Sequence, residues 1–214
     1  MIIKEVPYNM KNTKICGRFA PTPSGRIHLG NIFCSLLAWL HAKSQGGEIV
    51  LRIEDLDKVR CPRPKADLLA KDLEWLGLTW DRGAYLGPDS ERYFQSQRFD
   101  IYAEYFDKLE AQDLIYPCFC SRGQLHAAEA PHLSDGRILY AGTCKNLTSA
   151  ERLERAKTRQ PAYRLAVNNE PISFIDGNYG EQSYNLIEES GDFIVRRSDG
   201  VYAYQLAVTI DDAL

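Results

Sequence analysis

The chain has 214 residues, 44% of them hydrophobic and 26% charged, which is the make-up of a soluble globular protein with room for a core. A formal net charge of −3, from 26 Lys plus Arg against 29 Asp plus Glu, excludes a generally basic nucleic-acid binder but leaves room for a local basic face. No apolar run approaches the ~20 residues of a membrane span, and the opening Met1-Ile-Ile-Lys-Glu-Val carries no signal-peptide pattern, so a cytoplasmic protein without a membrane partner is expected.

Residues 1–13 read as a leader. Lys14 to Ala20 then has the pattern of a short strand. Leu29, Ile32, Phe33, Leu36, Leu37 and Leu40 recur at helical spacing and predict a helix with one apolar face. Gly46-Gly47 closes that helix, and Glu48 to Ile53 reads as a second strand running into Glu54-Asp55-Leu56-Asp57. Strand, loop, helix, strand is a βαβ crossover, whose ligands sit where the strands end. The loop between the first strand and the helix is suited to an anion. Pro21 and Pro23 stiffen it, Ser24-Gly25 turns it, and His28 stands at the helix mouth, where unpaired N–H groups and the helix dipole favour phosphate. Gly30, without a side chain, leaves space for a nucleotide. The Walker pattern GxxxxGK[ST] is absent.

Cys61-Pro-Arg-Pro leads into a helix from about Lys65 to Leu76, with Leu68, Leu69, Leu73 and Leu76 on its buried face and Gly77 closing it. Residues 79–90 read as a polar loop. Glu91 to Gln112 predicts a longer helix with a core stripe of Phe94, Phe99, Tyr102, Tyr105, Phe106 and Leu109. Thr148 with Glu151 forms a capping box ahead of a short helix. From there the period turns to strand: Ala162 to Val167, Ile172 to Ile175, Asp192 to Arg197 and Val201 to Ile210, with Asp199-Gly200 as a hairpin signal between the last two. Arg52 and Asp55 are expected to pair with each other at the surface, and Asp57 and Arg60 to be structural.

Of six cysteines, Cys16 and Cys34 lie in apolar segments and read as buried small hydrophobes. Cys118, Cys120 and Cys144 are clustered, and a Cys-x-Cys pair followed by a third cysteine after a polar connector fits structural zinc. By residue chemistry alone His126 or His132 is the usual fourth ligand, because imidazole is a far commoner zinc ligand than phenol.

Arg18-Phe-Ala-Pro-Thr-Pro-Ser-Gly-Arg-Ile-His-Leu-Gly-Asn31 together with Leu51-Arg-Ile-Glu-Asp55 resembles the "HIGH" signature region of class I aminoacyl-tRNA synthetases, in their glutamate branch. The resemblance runs, with gaps, over nearly the whole chain. It implies an α/β fold, a Rossmann-like parallel sheet of the class I type interrupted by a zinc-bearing insertion. It divides the chain into a leader (1–13), the first half of the catalytic domain (14–115), the insertion (116–147), and a connective region with the start of the second half (148–214). It further implies activation of L-glutamate by ATP with Mg2+ and transfer to RNA. His28, Gly30 and Asn31 would then serve the nucleotide; Arg18, Phe19, Ala20, Pro21, Thr22, Glu54 and Tyr204 would bind glutamate.

The spacing Cys118-x-Cys120, then Tyr140-x-x-x-Cys144, is similar to the zinc site of the short glutamyl-queuosine tRNA(Asp) synthetases, and by that likeness Tyr140 is the fourth zinc ligand. Val208 stands where glutamyl-tRNA synthetases usually have asparagine, which also favours the queuosine-directed branch and makes tRNA(Asp) bearing queuosine the expected partner of a monomeric enzyme. A glutamyl-tRNA synthetase catalytic fragment and a non-catalytic zinc- or RNA-binding protein are the alternatives. Family members continue past the position of Asp211-Asp212 into another glutamate-contacting arginine and a "KMSKS"-like lysine loop. The 214 residues are therefore expected to activate glutamate poorly by themselves.

Overall fold

The computed structural model describes residues 14–125 and 139–214, so the expected leader and both candidate histidines, His126 and His132, lie outside the described residues. The chain divides after Phe99 into two compact units.

The first unit runs β1 (Cys16–Phe19), α1 (Leu29–Ser44), β2 (Glu48–Leu51), α2 (Arg63–Trp75) and β3 (Arg82–Gly83), with the strands parallel in the order β1-β2-β3. β3 falls in the stretch expected to be loop. Phe19, Ile49, Leu51, Ile53, Leu73 and Phe94 are buried at its centre. α2 contributes Ala66, Leu69, Ala70 and Leu73 to that core, whereas Leu68, expected there, is 37% exposed. α1 rests on β1 through small residues: a Cβ built on Gly17 would come 3.3 Å from Ala42 Cβ and 3.4 Å from the Ala38 carbonyl. Its apolar stripe faces away from that contact, with Leu29 80% exposed and Phe33, Leu36, Leu37 and Leu40 exposed as well. Cys34, beside the stripe, is exposed, and so is Cys16, two residues from exposed Arg18 on the same side of β1. Both expectations of burial are overturned.

α3 (Phe99–Ala111) begins eight residues later than the aromatic spacing predicts. Residues 90–93 and 95–97 form single 3₁₀ turns, and Phe94 between them is extended and bridged in parallel to Ile53. Periodicity misled because Phe94 is buried by a strand-like pairing at a position that also suits a helix. Tyr102 and Phe106 are buried as expected.

After α3 come β4 (Ile115–Cys118), α4 (Arg122–Leu125), α5 (Ser149–Ala156), β5 (Ala162–Leu165), β6 (Ile172–Asp176), β7 (Gly180–Tyr184), α6 (Leu186–Glu189), β8 (Ile194–Arg196) and α7 (Tyr204–Ala213). β4, β5 and β8 form an antiparallel sheet, and β6 with β7 a separate hairpin. Pro117 is tolerated because β4 is an edge strand of its sheet. The capping box is present in full at Thr148 and Glu151. Asp199-Gly200 makes its turn, with Gly200 at φ +86° and Arg196 bridged to Tyr202. The strand expected over Val201 to Ile210 is instead α7. Its buried residues, Leu206, Ala207 and Ile210, recur at helical spacing, a period that outweighs the strand propensity of Val201, Tyr202 and Tyr204. Among the described residues no helix is long and apolar enough to cross a membrane.

Gly83 has φ +118°, and a Cβ there would stand 2.2 Å from the Leu51 carbonyl oxygen, inside the sheet. Gly83→Ala is expected to destabilise the fold by roughly 2–4 kcal/mol in urea denaturation. Gly177→Ala, where a Cβ meets nothing within 4 Å, should change stability by less than about 1 kcal/mol.

Candidate functional site

Among the described residues, two clusters of chemistry-bearing side chains form, one in each unit. In the first unit the backbone ladder continues beyond the named strands. Arg52 N–H donates to the Phe19 carbonyl at 2.8 Å and Glu54 N–H to the Pro21 carbonyl at 3.1 Å. On the other side Ile53 N–H donates to the Tyr93 carbonyl at 2.9 Å and Gln95 N–H to the Ile53 carbonyl at 3.0 Å. Residues 52–54 are thus held on both edges at the carboxyl end of β2, where parallel sheets bind ligands.

Phe19 and Pro21 are buried, Ala20 is half-buried, and Arg18 and Thr22 are exposed on either side of them. Glu54 is buried and forms an ion pair with Arg52 at 3.0 Å, their side chains 6% and 8% exposed. Arg52 was expected to pair with Asp55. Extended backbone puts residues two apart on the same side and residues three apart on opposite sides, so Arg52 meets Glu54. Asp55 is buried and accepts from Ser96 N–H at 2.9 Å and Ser96 Oγ at 2.7 Å, fastening this end of β2 to the segment ahead of α3.

His28 is the N-cap of α1, in extended conformation (φ −110°, ψ 166°), and its side chain makes no capping hydrogen bond. No acidic residue occupies the first turn, so the amide groups at this helix mouth face no competing negative charge from their own helix. A Cβ on Gly30 would lie 3.3 Å from both Cε1 and Nδ1 of His28, so glycine is what lets the imidazole lie against the first turn. Asn31 follows it, half-buried. α2 steadies the loop from outside: Lys65 Nζ donates to the Ser24 carbonyl at 2.9 Å and the Arg60 carbonyl at 3.0 Å, and Arg26 pairs with Asp72 at 2.7 Å. No motif marked Lys65, Ser96 or Asp72, because their roles arise from which chain segment they meet.

Tyr204 lies in the second unit, exposed at the first position of α7. The metal candidates lie there as well. The Sγ atoms of Cys118, Cys120 and Cys144 are all within 4.8 Å of one another, with Cys120 and Cys144 3.6 Å apart. Tyr140 Oη is 3.4 Å from Cys118 Sγ and 3.7 Å from Cys120 Sγ. Bonds of about 2.3 Å to sulfur and 2.0 Å to oxygen in a tetrahedron give ligand separations of about 3.8 and 3.5 Å, so the four groups fit one zinc ion. The turn that returns the chain is set by Gly142 at φ +75°, and Cys144 N–H donates to Tyr140 Oη at 2.9 Å. Burial raises the Cys118 thiol, but contacts with Tyr140 and the Arg164 guanidinium outweigh it and hold the thiol below its ordinary value. Burial pushes Cys120 up to about 11, and it also raises the Tyr140 phenol.

A family model described as tRNA synthetases class I (E and Q), catalytic domain, matches residues 14–214. A protein of Symbiobacterium thermophilum named glutamyl-Q tRNA(Asp) synthetase is 48% identical over 203 residues, covering 94% of this chain and 62% of that relative. A glutamate–tRNA ligase 2 of Alkalilimnicola ehrlichii is 42% identical over 208 residues, covering 96% of this chain and 43% of its own length. The crystal structure of a glutamate tRNA ligase from Elizabethkingia meningosepticum in complex with its amino acid superposes with a TM-score of 0.72 at 29% identity, covering 94% of this chain and 42% of that one. The chain therefore spans less than two thirds of the length of these relatives.

Arg52→Met takes a positive partner away from the buried Glu54 carboxylate and is expected to cost about 3–5 kcal/mol in urea denaturation. The double variant Arg52→Met, Glu54→Leu should recover at least half of that loss, and an additive double variant would contradict the pairing.

Proposed function

The chain belongs to the class I (E and Q) tRNA synthetase catalytic-domain family, and on that premise we propose that it activates glutamate with ATP and transfers it to queuosine of tRNA(Asp). The observation that carries the activation step is the carboxyl end of the β1–β2 pair, where Arg18, the Ala20–Thr22 backbone, Glu54 and the His28 helix mouth share one βαβ unit. In this reading Arg18 offers a bidentate fork to a glutamate carboxylate, and Glu54 faces the α-ammonium. Arg52, 3.0 Å away, is a positive partner of the kind a buried carboxylate needs. The helix mouth and His28 receive the ATP phosphates, and Mg2+ accompanies the nucleotide.

An α-carboxylate oxygen of glutamate attacks the α-phosphorus of ATP, and the bond to the bridging oxygen breaks to release pyrophosphate. A hydroxyl of queuosine then attacks the acyl carbon, and AMP leaves. No side chain is asked to form a covalent bond; positioning and charge stabilisation carry the rate. The assignment of Tyr204 as a glutamate contact rests on the family resemblance alone.

Cys118, Cys120, Cys144 and Tyr140 would hold zinc, which supplies a cross-link between β4 and the 139–147 segment. Choice of the queuosine-directed branch is supported by the tyrosine in that cluster and by 46–48% identity to two relatives bearing the glutamyl-Q name, against 42% for the ligase of Alkalilimnicola and 40–41% for two others of the glutamyl-Q name.

The test is to follow labelled glutamate, with ATP, onto tRNA(Asp) with and without queuosine and onto tRNA(Glu), alongside calorimetric titration of the chain with a non-hydrolysable glutamyl-adenylate analogue. Binding of the analogue, weakened at least tenfold by Arg18→Ala, is expected, together with slow labelling that is confined to queuosine-bearing tRNA(Asp). Label on tRNA(Glu) would make the chain an ordinary glutamyl-tRNA synthetase catalytic domain, and no binding would remove the activation reading. Purified protein should contain zinc, and Tyr140→Phe should lower its zinc content; full retention there with loss in His132→Ala would move the fourth ligand to the histidine.

A further inference from the structure

Arg164 stands out in the second unit as a buried guanidinium, 6% exposed, whose carbon lies 3.7 Å from the centre of the Tyr140 ring. β4 and β5 bring it there: Arg164 is registered opposite Tyr116, two residues before Cys118. One end is anchored, with Nη1 donating to the Asp192 carbonyl at 2.7 Å. Its Nε is buried and has no hydrogen-bond partner among the described residues. The Asp192 carboxylate is occupied elsewhere, accepting from Tyr116 at 2.6 Å, from Val167 N–H at 2.8 Å and from Lys145 at 3.2 Å. Among the described residues it forms no hydrogen bond or ion pair with the Arg164 guanidinium.

A buried cation without a carboxylate of its own is costly unless negative charge is close by. The Cys118, Cys120, Cys144 and Tyr140 cluster supplies that charge when loaded: three thiolates around a dication leave one net negative charge, and a tyrosinate ligand makes it two. We propose that Arg164 is the charge-balancing residue of this metal site, stacked on Tyr140 to make a phenol oxygen usable as a zinc ligand. This rests on the zinc reading above. Lys145 and Arg155 are other cations near the cluster, but Lys145 is half-exposed and bound to Asp192, and Arg155, on the wall of the cavity beside Cys120 and Tyr140, is exposed to solvent.

The experiment measures zinc affinity of the full chain by competition with a chromophoric chelator, with circular dichroism to check folding and the absorption spectrum of the cobalt(II) form to report geometry. Arg164→Gln keeps a donor for the Asp192 carbonyl and loses the charge; Arg164→Lys keeps the charge and loses the planar stack. The Gln variant is expected to bind zinc 10–100-fold more weakly than the original chain, with the Lys variant within a few-fold of it. In a Tyr140→Phe background the same Gln substitution should cost less than in the original chain. A folded Gln variant with unchanged affinity overturns the proposal. So does a folded Lys variant that loses affinity by tenfold or more, which is readable even if the Gln variant fails to fold. An unsubstituted chain that binds no zinc would instead show, before any comparison of variants, that the metal reading itself had failed.

Discussion

A carboxylate removed from water must find positive charge, and the first unit meets this need within a single strand end. Arg52 and Glu54 share one side of the extended chain because they are two residues apart, and both are buried. The pair stays in place because hydrogen bonds run along both edges of residues 52–54, to Phe19 and Pro21 on one side and to Tyr93 and Gln95 on the other. The order β1-β2-β3 and the parallel bridge of Phe94 to Ile53 are what provide those two edges. The loop from Pro21 to His28 then begins from a fixed point, and Lys65 and Asp72 of α2 restrain it further along. Preorganisation of this kind lets an enzyme meet developing charge without rearranging at the moment of reaction.

The second unit applies the same rule to different groups. Cys118, Cys120, Cys144 and Tyr140 gather from an edge strand and a glycine turn, and Arg164 enters from the neighbouring strand. Groups that become negative on ligating a metal are thus concentrated where a buried cation already stands. Asp192, drawn toward Tyr116, Val167 and Lys145, ties the neighbouring segments together instead.

Much of this was legible in the sequence where the determinants are local. The His28 mouth, the capping box at Thr148, the turn at Asp199-Gly200 and the cysteine spacing each depend on residues only a few positions apart. What escaped depends on distant segments. Nothing in the sequence marks Arg164 among the other arginines, because its role comes from standing opposite Tyr116. Ser96 is an ordinary serine until Asp55 reaches it. Two periods were misread: Phe94 is buried by strand-like pairing within an apparently helical stripe, and Tyr204 to Ala213 is helical although its start reads as strand. Aromatic and β-branched residues satisfy both patterns over short stretches, and only packing against a partner decides between them.

α1 is apolar on the side that faces away from β1, while the contact with β1 is made by alanines over Gly17. Hydrophobicity alone therefore does not select which side of this helix turns inward, since Leu29, Phe33, Leu36, Leu37 and Leu40 are left outside while Trp39 packs against the core. Size decides. Ala38 and Ala42 meet β1 at Gly17, where even one added carbon would press on Ile49 and crowd both alanines. The azimuth of the helix about its own axis is consequently a steric setting. His28, at the first step of that helix, takes its bearing from two alanines and a glycine that never approach it.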